Sequence, residues 1–112
     1  MSRFNLSGIA KSFVKEGNKT GGGTIDTYYK SYSGAIQAAI EHAEKRGYEV
    51  DQDDVDSQIT FAYPGRPKKD NEDRRAIIGL TKNGKPQKKA LTIVVTFLKG
   101  MSKPYELVTY IN

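Results

Sequence analysis

At 112 residues the chain is long enough for one domain with a modest core, and 37% hydrophobic with 28% charged residues is too apolar for wholesale disorder. The absence of cysteine excludes disulfides, thiolate metal sites and a cysteine nucleophile, and a single histidine leaves little for histidine catalysis or a histidine-built metal site. The net charge of +5 is unevenly spread: residues 1–40 carry +3, residues 41–56 carry −5 and residues 57–112 carry +7.

In chain order, Leu6, Ile9, Ala10, Phe13 and Val14 fall at helical spacing and predict a short amphipathic helix, capped by Asn5 or Ser7 and ended at Gly17-Asn18. The glycine-rich stretch from Gly17 to Thr24 reads as a flexible tether. Residues 1–25 are thus expected to form an arm and linker, and residues 26–112 the folded domain. An arm this short needs a surface to dock on, either its own domain or a partner. Phe4, Leu6, Ile9, Phe13 and Val14 are its candidate partner-binding residues.

A second helix is predicted from Ser31 or Ser33 as cap to about Arg46, with Ile36, Ala39, Ile40 and Ala43 as its apolar stripe and Gln37, Glu41, Glu44 and Lys45 facing solvent. Gly47 should follow it in the left-handed conformation, and Tyr48 should fold back on the last turn. Glu49 to Asp56 reads as a solvated acidic connection. Its spacing fails as a calcium loop, because counting from Asp51 position six is Asp56 rather than glycine and position twelve is Ala62 rather than glutamate.

Four strands are expected: Gln58–Tyr63, Arg75–Thr81, Lys89–Leu98 and Tyr105–Ile111. Asn83-Gly84 is a strong hairpin signal, and Pro86 and Gln87 suggest a wider loop or bulge than a minimal turn. The fold class is therefore α+β, one main helix packed on a four-stranded antiparallel meander, preceded by the tethered arm. Val94, Val108 and Tyr110 fall on the sheet face away from that helix and are candidate partner-binding residues.

Three chemical readings follow. Gly65 to Arg75 reads as a polar loop that the hairpin is expected to bring close to Lys82, Lys85, Lys88 and Lys89, so Lys68, Lys69, Arg74, Arg75, Lys85, Lys88 and Lys89 are candidate phosphate contacts, with Phe61 and Tyr63 as stacking surface for single-stranded nucleic acid. Arg75, Glu106 and Tyr110 could act as phosphate clamp, base and proton donor in a small ribonuclease. His42, beside Glu41 and Glu44 on a helix flank that reads as solvent or boundary, is expected to be structural or incidental. No catalytic residue, metal or cofactor is assigned.

The runs AIQAAIEHAEKRGYEVDQDDVD, AIIGLTKNGKPQKKALTIVV and YELVTYIN together resemble a group of small proteins, or C-terminal modules, of tailed bacteriophages, many of them marine. The resemblance covers about residues 27–112. It implies a non-enzymatic accessory protein, often labelled as a virion structural protein, that binds a phage structural protein or forms a homo-oligomer, located in the virion or the host cytoplasm. No membrane partner is expected, since no apolar run approaches the roughly eighteen residues of a span. A nucleic-acid-binding protein of the infected cell is the alternative.

Overall fold

The computed structural model describes residues 25–58 and 66–112. Its elements are β1 (Tyr28–Tyr29), α1 (Tyr32–Glu44), β2 (Glu49–Val50), α2 (Gln52–Asp56), β3 (Asp73–Lys82), β4 (Lys85–Phe97) and β5 (Tyr105–Ile111). The predicted arm helix, its tether up to Thr24, and the part of the predicted Gln58–Tyr63 strand from Ile59 onward lie outside the described residues.

α1 begins where Ser31, in extended conformation, accepts the Gly34 N–H on its Oγ at 3.0 Å. It ends as Gly47 adopts a φ of +87° and the Tyr48 N–H reaches back to the Ala43 carbonyl. Between these caps Ala35, Ile36, Ala39, Ile40 and Ala43 are buried, while Gln37, Glu41, Glu44 and Lys45 face solvent.

The fold is α+β, as the alternation of patterns predicts, but the sheet has five antiparallel strands in the order β1-β5-β4-β3-β2. The meander β3-β4-β5 is its centre. Two strands of two residues each flank it, Tyr28–Tyr29 against Tyr105–Glu106 and Glu49–Val50 against Leu80–Thr81. Neither edge is long enough to show a period of two, so the four-stranded expectation missed both. The acidic connection is also corrected: Asp51 Oδ1 accepts the Asp53 N–H at 2.9 Å, and Gln52–Asp56 forms a short helix that buries Val55.

Asn83 (φ +53°) and Gly84 (φ +77°) make a two-residue turn closing on the Lys82–Lys85 pair, tighter than Pro86 and Gln87 suggested. The irregularity those residues introduce lies in the ladder instead, where the register shifts between Gly79 and Thr81.

Strand alternation then sorts side chains. Ala76, Ile78, Leu80, Leu91, Ile93, Val95, Tyr105 and Leu107 form the core beneath α1 and α2. On the other face the register lines up three rows: Ile77 with Thr92 and Tyr110, Arg75 with Val94 and Val108, and Asp73 with Thr96 and Glu106. Adjacent residues Ile77 and Ile78 thus have opposite fates, 53% and 0% exposed. Ile78→Ala is expected to cost about 2–5 kcal/mol in urea denaturation, through lost burial plus a cavity, and Ile77→Ala within about 0.5 kcal/mol.

Candidate functional site

The cations expected to cluster at one end of the sheet are divided between its two ends. Lys82 pairs with Lys85 at one end of β3 while Asp73 pairs with Thr96 at the other. Ten strand residues at about 3.3 Å each separate these ends by roughly 30 Å. Lys85, Lys88 and Lys89 are therefore remote from Lys68, Lys69 and Arg74, and Arg75 lies on the second sheet face beside Val94. The expected seven-residue surface does not form; the antiparallel run of β3 carries its two flanking loops to opposite ends.

At the hairpin end the acidic segment sits against its own lysine-bearing loop. Glu49 Oε1 accepts from the Thr81 hydroxyl at 2.9 Å and the Gly84 N–H at 3.2 Å, and Asp54 Oδ2 accepts the Gly79 N–H at 3.3 Å. Asp51, Asp53 and Asp54 share a surface hollow with Pro86 and Gln87. Lys82 Nζ lies 4.9 Å from the centre of the Tyr48 ring. Charges of both signs meet here within one subunit.

The opposite end has a different balance. The loop of residues 66–72 is tied to the β4–β5 turn: the Asn71 N–H donates to the Phe97 carbonyl at 2.7 Å, the Phe97 N–H to the Glu72 carbonyl at 2.8 Å, and the Lys99 N–H to Asp70 Oδ1 at 2.9 Å. β1 joins the same corner through the Tyr29–Tyr105 pair, which brings Lys30 and the start of α1 beside it. Lys30, Arg66, Lys68, Lys69, Arg74, Lys99 and Lys103 thus gather around one corner against Asp70, Glu72 and Asp73. A hollow of about 470 Å³ there is lined by Lys30, Ser31, Tyr32, Ser33, Arg66 and Tyr105. No acid occupies the first turn of α1, so nothing on the helix itself opposes the positive end of its dipole.

Glu72 organises this corner. Its Oε1 accepts the N–H groups of Lys68 at 2.6 Å and Lys69 at 3.0 Å, and its Oε2 lies 3.1 Å from Arg74 Nη1. The two backbone donors, with the guanidinium behind them, hold its carboxyl down to about 2. The ammonium groups of Lys68 and Lys69 stay exposed while their amides are fixed. The Tyr32 hydroxyl is buried without a hydrogen-bond partner among the described residues; burial pushes its pKa up, and Arg74 pulls the other way. Tyr32 and Phe97 both pack on the ring of Tyr105, at 6.3 and 5.5 Å between centroids.

Of the other candidates, Val94 and Val108 are direct cross-strand partners with Tyr110 in the neighbouring row, so the register brings these three together. Val94 and Val108 are 9% and 7% exposed, and Tyr110 is half-buried. Phe4, Leu6, Ile9, Phe13 and Val14, and the stacking candidates Phe61 and Tyr63, lie outside the described residues. Arg75, Glu106 and Tyr110 share the second face, but Glu106 is 2% exposed and presents no carboxylate to a polymer in solvent. His42 is 1% exposed, not at a solvent boundary. The sequence does hold a sign of this: Ala35, Ala38 and Ala39 widen the small-residue stripe toward His42, and the segment of Ile25 and Tyr29 covers that flank. Lys30, Lys99 and Lys103 were missed because only the strand register joins them to Lys68 and Lys69.

Among the described residues no group of three or more His, Asp or Glu side chains could hold a metal ion, and no helix is long and apolar enough to cross a membrane. No protein-family model matches the chain, and neither does any curated protein or solved structure.

The depressed carboxyl of Glu72 makes a pH prediction. A folded value below the unfolded one favours the folded loop above about pH 4.5, and that contribution is lost as pH falls through about 2. A carboxyl-carbon NMR titration should place the Glu72 midpoint near 2, and Glu72→Ala should speed amide exchange at Lys68 and Lys69. A midpoint in the ordinary carboxylate range would show that the two N–H donors are not held as described.

Proposed function

We propose that the chain is a non-enzymatic binding protein whose basic corner grips the phosphate backbone of a single-stranded nucleic acid. The observation that carries this reading is the sorting of charge along β3. The carboxylates of residues 49–56 are collected at the hairpin end, and seven cations at the other end face three acids. Lysines on short loops anchored by backbone hydrogen bonds suit phosphate contact without base readout, because phosphates repeat along any sequence and carry no sequence information. The resemblance to tailed-phage proteins would make the setting an infected cell or a particle.

A second reading, a phage accessory protein that docks on a protein partner or its own copies, draws on Ile77. This exposed apolar residue stands in one row with Thr92 and Tyr110 on the second sheet face. The two readings differ in salt response: phosphate contact weakens steeply with salt, whereas apolar docking survives it.

Fluorescence anisotropy with a labelled oligodeoxythymidylate separates them. If about four phosphates are neutralised, log K should fall against log salt with a slope of about −3. Charge reversal by Lys68→Glu, Lys69→Glu and Lys99→Glu together should reduce affinity at least about a hundredfold, since phosphate contacts dominate such binding. Reversal of Lys85, Lys88 and Lys89, several screening lengths away at about 0.15 M salt, should change it less than about threefold. Equal losses from both triple variants, or binding indifferent to salt, would contradict the proposal.

A further inference from the structure

His42 is the one buried ionisable group whose ring the fold leaves unsatisfied at both nitrogens: neither Nδ1 nor Nε2 has a hydrogen-bond partner among the described residues. Buried polar atoms are nearly always paired, so an imidazole closed off from solvent with two unpaired nitrogens has little to hold it except packing and neutrality. It is also a side chain whose charge changes in the physiological range.

Its surroundings oppose that charge on one side and welcome it on the other. Along α1, Lys45 and Arg46 stand beside it, and Arg46 Nη1 donates to the His42 carbonyl at 2.7 Å. Burial, then these two cations, lower the His42 pKa below its ordinary value, so the ring is neutral at pH 7. Toward the β1 side a hollow of about 320 Å³ is lined by Ile25, Asp26, Tyr29, Ala38, Glu41, His42 and Lys45. Two carboxylates, Asp26 on the segment before β1 and Glu41 on α1, border this space. A protonated ring released from its buried position would gain water and the Glu41 carboxylate, which stays on α1, as acceptors that its present site lacks.

The segment it would displace is a short edge. β1 has two residues, paired as Tyr28–Glu106 and Tyr29–Tyr105, and the Leu107 N–H donates to the Thr27 carbonyl at 2.6 Å. Ile25 and Tyr29 pack on the core from this side. The β3–β4 ladder, with nine register pairs, is far longer than the pairing that β1 makes.

We propose that His42 is an acid-responsive latch: its protonation drives the ring out of the seam between α1 and residues 25–29 toward solvent on the Glu41 side, and loosens that segment from the helix while the central meander stays intact. The sign follows from linkage. The open state binds a proton more readily than the closed one, so closure is favoured above about pH 6.5 and opening rises as pH falls below that value, by roughly tenfold per pH unit until the closed form itself protonates.

Hydrogen exchange monitored by NMR on the full chain tests the latch. Corrected for intrinsic rates, protection of the Leu107 amide should fall about fivefold between pH 6.5 and 5.5, as one-proton linkage requires, with the β3–β4 amides unchanged. In His42→Phe that pH dependence should vanish. Should that variant fail to fold, the single histidine still provides one imidazole resonance in the natural chain, and its titration should track the loss of Leu107 protection. Overturning results are a Leu107 protection independent of pH, an equal loss in His42→Phe, or an imidazole that titrates with no change at residues 25–29.

Discussion

The ten-residue reach of β3 is the constraint on which the arrangement of charge depends. A strand paired along its length cannot bend its ends together, so the loop that enters it and the turn that leaves it are held roughly 30 Å apart. Ion screening at about 0.15 M salt acts over about 8 Å, which makes the two ends electrostatically independent. A net charge of +5 therefore says little about this molecule. What matters is that the carboxylates of residues 49–56 sit at one end, and that the other end gathers seven cations from residues 30, 66–74 and 99–103 against three acids.

The acidic segment is held by specific contacts and not by attraction alone. Glu49 and Asp54 accept backbone N–H groups that the short edge of the sheet leaves open, at Gly84 and Gly79. β2 covers only Leu80 and Thr81, so the strand beyond needs other partners, and carboxylate side chains supply one at Gly79. These contacts place the carboxylates beside lysines of the same subunit. Glu49 and Asp54 are thus engaged within one chain.

Much of the fold was legible because it rests on local chemistry. The caps of α1, its Gly47 terminus, β5 from Tyr105 to Ile111 and the Asn83-Gly84 turn all follow from what a few consecutive residues can adopt. The two-residue edge strands were not legible, since pairing with a neighbour defines them and periodicity cannot. α2 was hidden by composition: four acids among residues 51–56 read as a loop, yet one of them is the cap and two others favour the first turn. His42 was misplaced because its burial depends on a covering segment from another part of the chain. The basic corner was half legible. Lys68, Lys69 and Arg74 were found, but grouping them with Lys85, Lys88 and Lys89 required the hairpin to fold back on itself, which an extended antiparallel pair does not do.

Chemical-shift mapping of the isotope-labelled chain with a short single-stranded DNA asks directly whether the two ends are distinct. At about 50 mM salt, where phosphate contacts are strong, the amides of Lys30, Lys68, Lys69, Lys99 and Lys103 should move together while those of residues 82–89 stay in place. Perturbation centred on residues 82–89, or no perturbation at either end, would contradict the separation of charge as the basis of the proposed binding.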